Sequence, residues 1–239
     1  MALLVLLGNT SVKVESARGC FASFPLPGNA ETLRSALKGA ADRDVAAASV
    51  NPAVEPLLEG ACRLEGLSAP VYAGRDFPAG VPMAVGNPAS VGIDRVLNVK
   101  AAFARCRRAL ATVDFGTATS VSVADGEGRF VGGAIMPGVG LALRALRENT
   151  ALLPEVATAF PVSALGKNTV EAMTSGCVFG AAGAAKEVVA RIEAAMGTRL
   201  EVFVTGGDAA VMAEILPATW TLSQGLTLEG LRLAYDETK

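Results

Sequence analysis

Twice along this chain a short, mainly apolar run enters a small-residue turn and leaves as a second strand. Leu3–Leu7 is apolar at every position, and Ser11–Val14 alternates polar with apolar residues. The Gly8-Asn9 pair between them is a strong hairpin signal. Ala111–Asp114 and Ser120–Ala124 repeat the arrangement around Gly116-Thr117, and Arg129–Met136 adds a third strand across an Asp125-Gly126 turn. Cys20–Phe24 reads as the third strand of the first group.

Helical periodicity fills most of the remainder. Asn29 is placed to cap a helix reaching Ala41, with Glu31 in its first turn. Asp44–Ser49 is a short apolar strand, and Asn51-Pro52 opens a helix to Cys62 with proline in its first turn. Pro70–Ala73 reads as a strand and Gly92–Arg108 as a helix with Val96, Leu97, Ala101 and Phe103 apolar. Beyond Gly138–Arg147, a short helix, the pattern predicts a long helix over Thr169–Met196. Then come a strand over Glu201–Thr205, a helix over Gly207–Ile215, a strand over Thr219–Ser223 and a closing helix over Leu226–Asp236. Two halves that open alike predict an α/β fold with an internal structural duplication. The expected domains are residues 1–108 and 109–239, with the boundary near Arg108–Leu110.

Composition narrows the chemistry. Hydrophobic residues make up 51% of the 239 positions, which excludes a disordered chain. A net charge of −2 gives no general attraction to nucleic acid. Arg105, Arg107 and Arg108 read as a solvated helix end. Cys20, Cys62, Cys106 and Cys177 form no CxxC pair, the usage expected of free thiols in a cytoplasmic protein. No basic-apolar-small leader pattern precedes the first strand, and the Ala-rich run Ala181–Ala185 belongs to a helix carrying Lys186, Glu187 and Arg191, so no membrane span is expected. The chain contains no histidine. That removes Ser-His-Asp and Cys-His catalysis, histidine zinc sites and histidine proton shuttles. A general base near neutral pH must be a carboxylate, lysine, tyrosine or cysteine.

The repeated turns have a shared chemical use. Glycine at a tight turn lets backbone N–H groups approach a phosphate, and a following Thr or Asn adds a donor. An aspartate at the strand end can hold a cation beside the phosphates. Asp114-Phe115-Gly116-Thr117-Ala118-Thr119 has all these parts. One such turn alone would read as an ordinary hairpin, and two at the heads of similar halves favour phosphate binding. Gly92-Ile93-Asp94-Arg95 supplies a carboxylate and a guanidinium fork at a helix start, where Asp94 would also offset the helix dipole.

A set of short motifs in order extends this reading. They are GNT at Gly8–Thr10, NPxxVGIDR at Asn87–Arg95, VDFGTAT at Val113–Thr119, GGAIMPG at Gly132–Gly138, TALLP at Thr150–Pro154, GKNT at Gly166–Thr169, TGGDA at Thr205–Ala209 and LTLEGL at Leu226–Leu231. The paired turns resemble the phosphate motifs of the actin, sugar-kinase and heat-shock ATPase superfamily. The whole set resembles the type III pantothenate kinases, nearly end to end. The resemblance implies two ribonuclease H-like (actin-like ATPase) halves, each a mixed sheet flanked by helices. It implies ATP-dependent phosphorylation of pantothenate, the first step of coenzyme A biosynthesis, with Mg2+ and a monovalent cation (K+ or NH4+). It places the general base at Asp94 and substrate contacts at Gly92, Ile93, Asp94, Arg95 and Thr169. ATP contacts fall at Gly8, Asn9, Thr10, Lys13, Gly116 and Thr117, and the monovalent cation at Asp114. Thr169 would equally serve as a helix N-cap. Gly132-Gly133 and Gly206-Gly207 read either as approaches to nucleotide or as tight turns.

The resemblance also implies a homodimer with the substrate site near its interface. The small residues of Gly176–Ala185 fit close helix packing in a dimer, or in a dense core. Two positions depart from the family pattern. Leu6 stands where the first motif carries an aspartate that helps hold magnesium–ATP, and Glu15 is the nearest carboxylate in sequence. Val85 stands where a tyrosine is common. A catalytically degenerate relative, binding a ligand or partner in a regulatory role, is the competing expectation.

Overall fold

The computed structural model describes residues 2–16, 21–26, 30–38, 40, 42–161 and 163–239. They fall into two compact units: 1–82, 86–104 and 226–239 in one, 83–85 and 105–225 in the other.

In the first unit, β1 (Leu3–Leu7), β2 (Ser11–Glu15) and β3 (Phe21–Pro25) form an antiparallel meander. Parallel strands β4 (Val45–Ser49) and β5 (Val71–Tyr72) extend it in the order β3-β2-β1-β4-β5. β1 is buried on both faces, which is why it reads as a continuous apolar run. Leu3, Val5 and Leu7 face a cluster containing Leu33 of α1 (Ala30–Leu37) and Leu58 of α2 (Glu55–Leu64). Leu4 and Leu6 face a second cluster with Leu97 of α3 (Ile93–Cys106) and Leu228, Leu231 and Ala234 of α7 (Leu226–Asp236).

The second unit repeats this plan. β6 (Leu110–Phe115), β7 (Ala118–Ala124) and β8 (Phe130–Pro137) are antiparallel. β9 (Glu201–Thr205) and β10 (Thr221–Leu222) continue in parallel, giving β10-β9-β6-β7-β8. Ala111, Val113 and Phe115 face a cluster with Val139 and Leu143 of α4 (Val139–Glu148) and Val178, Ala182 and Ala185 of α5 (Thr169–Met196). Ala209 and Met212 of α6 (Ala209–Ala213) complete it.

The expected α/β architecture of duplicated mixed sheets is therefore present. The division along the chain differs from the expected one, because α7 returns to the first unit. Its Leu228, Leu231 and Ala234 cover the Leu4–Leu6 face, and Thr227 Oγ1 donates to Asn98 Oδ1 at 2.7 Å. The helix expected over Gly207–Ile215 is only Ala209–Ala213, since Gly206 (φ 106°) precedes it in a turn. Pro52–Val54 is a 3-10 turn leading into α2. Cys20, and the expected helix limits Asn29 and Ala41, lie outside the described residues.

Candidate functional site

β6 and β9 end side by side, with Asp114 paired to Thr205 and, across the antiparallel neighbour, to Ser120. Direct partners project from the same sheet face. Thr112, Asp114, Ser120, Ser122 and Thr205 therefore line one face, and the apolar cluster lies on the other. Thr112 Oγ1 is buried with no hydrogen-bond partner among the described residues.

The turn after Asp114 is held by backbone. Gly116 N donates to the Ala118 carbonyl at 3.2 Å, and Gly138 N to the Thr117 carbonyl at 3.2 Å, which brings the start of α4 over the turn. Asp208 N donates to the Phe115 carbonyl at 3.0 Å. A Cβ on Gly138 would overlap the Gly116 carbonyl and sit 2.6 Å from that of Thr117. A Cβ on Gly206 would overlap the Phe115 carbonyl and sit 2.6 Å from Asp114 Oδ1. The glycines thus let neighbouring backbone close in as a cradle around the turn and its carboxylate. A carboxylate with hydroxyl side chains on its sheet face and backbone carbonyls close by makes a hard, oxygen-only surrounding. Burial pushes the nearby Asp208 carboxyl above its ordinary range.

The first turn has the same form with a different charge. Gly8 N donates to the Ser11 carbonyl at 2.9 Å, Leu26 N donates to the Thr10 carbonyl at 2.7 Å, and Asn9 and Thr10 are exposed. Leu7 pairs with Val12 whereas Phe115 pairs with Thr119, so this turn is one residue longer than its counterpart. Leu6, in the place of Asp114, is 8% exposed and packs in the apolar cluster with Leu4, Ala48 and Leu97. Lys13 is its cross-strand partner. Glu15 is the last residue of β2, faces Leu4 two positions farther from the turn, and pairs with Arg232 at 2.5 Å. It therefore does not replace the missing acid. No group of three or more His, Cys, Asp or Glu that could hold a metal occurs among the described residues. Magnesium does not fit the side chains of this turn.

The start of α3 carries the other candidate chemistry. Asp94 Oδ1 accepts from Arg95 N at 2.9 Å, and a Cβ on Gly92 would come within 2.6 Å of that oxygen. Desolvation raises the Asp94 carboxyl above its ordinary value, against the opposing pull of the Arg95 backbone N–H and guanidinium. Burial likewise lowers the Arg95 guanidinium, opposed by Asp94. The Ile93 side chain packs on the core near Gly74. Two other candidate bases, Cys62 and Tyr72, are held in their neutral forms near neutral pH. Burial, with Glu59 nearby, pushes the Cys62 thiol up to about 11, and burial with Glu55 raises Tyr72 further still.

Thr169 is the first residue of α5 and is exposed. It lines an open cavity of about 590 Å³ with Leu146, Leu153, Lys167, Asn168 and Met173. The N-cap is Asn168, not Thr169. Asn168 Oδ1 accepts from Glu171 N at 3.0 Å, and Glu171 reaches back to Lys167 N at 2.8 Å, a reciprocal capping arrangement.

A sequence model of the type III pantothenate kinase family matches residues 2–191. The chain belongs to this family. It is similar to the type III pantothenate kinase of Anaeromyxobacter dehalogenans (strain 2CP-C), with 40% identity over 195 residues, 82% of this chain and 77% of the relative. It is 36% identical to the enzyme of that name from Myxococcus xanthus over 191 residues, 80% of this chain and 75% of the relative. In fold it is similar to a protein from Campylobacter jejuni assigned to the Baf family of transcriptional activators, with a TM-score of 0.66 at 16% identity over 99% of this chain and 98% of the other. It is also similar to an archaeal actin homologue, with a TM-score of 0.54 at 14% identity over 99% of this chain and 100% of the other. The fold is that of actin-like ATPases and sugar kinases.

Seen against the pantothenate kinase motifs, the second unit brings together Asp114, Gly116, Thr117, Gly138 and Gly206. The first unit keeps Gly8–Thr10 and Lys13 on one hairpin and Gly92–Arg95 on the start of α3. TGGDA and LTLEGL lie beyond the matched residues. Gly132 and Gly133 are neither turn residues nor on the cradle. They sit within β8 beside a register shift, at φ 137° and 153°. Sequence reasoning did not single out Asp208, Thr112 or Asn168. An acid directly after the Gly206-Gly207 pair, and a polar residue two before Asp114 on the same strand face, were the available signals. No helix among the described residues is long and apolar enough to cross a membrane.

Proposed function

We propose that this protein phosphorylates pantothenate with ATP to give 4'-phosphopantothenate, the first step of coenzyme A biosynthesis. The observation that carries the reading is Asp94. In a chain without histidine it is a sheltered carboxylate of raised basicity, next to Arg95 in the family's GxDR segment. Its carboxylate takes the proton of the primary hydroxyl of pantothenate as the oxygen bonds to the γ-phosphorus. The bond from that phosphorus to the β,γ-bridging oxygen breaks, and ADP leaves. Arg95 and Thr169 bind the substrate, with the backbone of Gly92 and Ile93. Gly8, Asn9, Thr10, Lys13, Gly116 and Thr117 bind ATP through turn N–H groups, hydroxyls and an ammonium.

Asp114 holds potassium or ammonium, whose charge offsets that of the phosphates. We read the active form as a cytoplasmic homodimer. Gly176, Gly180 and Gly183 form an exposed stripe on α5 with nothing within 4 Å of an added Cβ, which favours packing against a second copy over a dense core.

Leu6 favours a second reading, a relative that retains the fold and a ligand but not phosphoryl transfer. Coupled ADP-release turnover on wild type and Leu6→Asp separates the two, run with millimolar pantothenate and ATP, magnesium, and potassium or ammonium. Robust wild-type turnover is expected. Background-level ADP release by wild type with a large gain in Leu6→Asp would establish the second reading instead.

A further inference from the structure

We infer that Lys13 stands in for the divalent cation at the first turn, so that this chain binds metal-free ATP almost as well as magnesium–ATP. The inference rests on the nucleotide-binding reading above and says how that turn works without its acid. Leu6 and Lys13 are direct cross-strand partners in the β1–β2 ladder. Directly opposed side chains share one sheet face with Cβ atoms about 5 Å apart. The position that would carry a metal-holding carboxylate therefore has an ammonium on a flexible four-carbon stem beside it.

Three observations give that ammonium its role. Leu6 is 8% exposed inside an apolar cluster, and a hydrated divalent ion has no oxygen ligand there. Lys13 is half-exposed and forms no ion pair among the described residues. The nearest acid on its face, Glu15, is engaged with Arg232 at 2.5 Å. Its charge is thus available to a ligand at the Gly8–Thr10 turn. Formal charges point the same way. Magnesium beside an aspartate presents one net positive charge to the phosphates. Lys13 beside Leu6 presents the same charge with no ion, and it is fixed to the strand rather than recruited from solution.

The test is calorimetric titration of ATP into the full-length protein, once with magnesium and once with a chelator. Wild type should bind the two forms within about threefold of each other. Lys13→Met should weaken metal-free binding by about tenfold or more, and Lys13→Arg should largely restore it. Leu6→Asp should create a preference of about tenfold or more for magnesium–ATP. Wild type binding magnesium–ATP but not metal-free ATP overturns the inference while leaving the nucleotide reading intact. So does Lys13→Met binding both forms as wild type does. Binding of neither form to wild type would instead remove the nucleotide reading itself. The wild-type comparison decides even if a variant does not fold.

Discussion

The Oδ1 of Asp114 lies 2.6 Å from where a Cβ on Gly206 would stand. The carboxylate at the end of β6 and the turn after β9 are fitted to each other through a missing side chain. Gly206 also holds φ 106°, a conformation costly for any other residue. Gly206→Ala should lose about 2–4 kcal/mol of stability through strain and overlap, and should weaken the potassium or ammonium dependence of activity. Gly207 is the control, since a Cβ there meets nothing within 4 Å. Gly207→Ala should change stability by less than about 0.5 kcal/mol. Thermal melts and a cation titration of the two variants check both statements.

The crossing of α3 and α7 gives a prediction opposite in sign to helix propensity. Gly230 lies inside α7, where alanine would ordinarily gain about 1 kcal/mol. A Cβ at that position would overlap the Leu97 carbonyl. The close approach lets Leu231 pack in the cluster and Thr227 reach Asn98. Gly230→Ala should therefore destabilise by about 2–4 kcal/mol, read from denaturant midpoints. A stabilised variant would show that the two helices separate readily.

Much of this architecture was legible in the chain because its signals are local. The runs Thr169–Met196, Glu201–Thr205 and Leu226–Asp236 are read to the residue, since the residue pattern that sets them lies within each segment. The return of α7 to the first unit was not legible. Periodicity shows that Leu228 and Leu231 are buried, but not which sheet covers them. The candidate site divides in the same way. Asp114 and Asp94 stand out by motif. Asn168 displaced Thr169 as the cap because both residues are acceptable there, and only the hydrogen bond to Glu171 decides. Glu15 looked available in sequence, and Arg232, far along the chain, engages it.

That cap separates two roles at the start of α5. Asn168→Ala removes the acceptor for Glu171 N and the donor to Glu171 Oε1, and should cost about 1 kcal/mol. Thr169→Ala alters an exposed side chain that caps nothing, and should change stability by less than about 0.5 kcal/mol. If Thr169 binds substrate, its loss should raise the KM for pantothenate by about tenfold, with melting unchanged. A Thr169→Ala variant with wild-type KM would remove that residue from the substrate site.

Asp94 links stability and activity through one proton. Desolvation raises its folded-state carboxyl above the ordinary value of 3.8, so the folded chain holds this proton more tightly than the unfolded chain. The contribution to stability is fully present below the unfolded value. It is lost as pH rises through the raised folded value, where the charged form must be sheltered from water. Asp94→Asn keeps the Oδ1 acceptor for Arg95 N but carries no charge. It should be more stable than wild type at neutral pH, and the difference should vanish as pH falls below about 4. The same variant should lose about 10²–10⁴-fold in kcat, because the group that accepts the hydroxyl proton is gone. In wild type the acid limb of kcat/KM should lie above the ordinary aspartate range, matching the direction of the shift. Denaturant melts between pH 4 and 7, alongside the pH–rate profile, test both halves. A variant that gains stability at neutral pH but keeps its activity would leave Asp94 sheltered yet not the base.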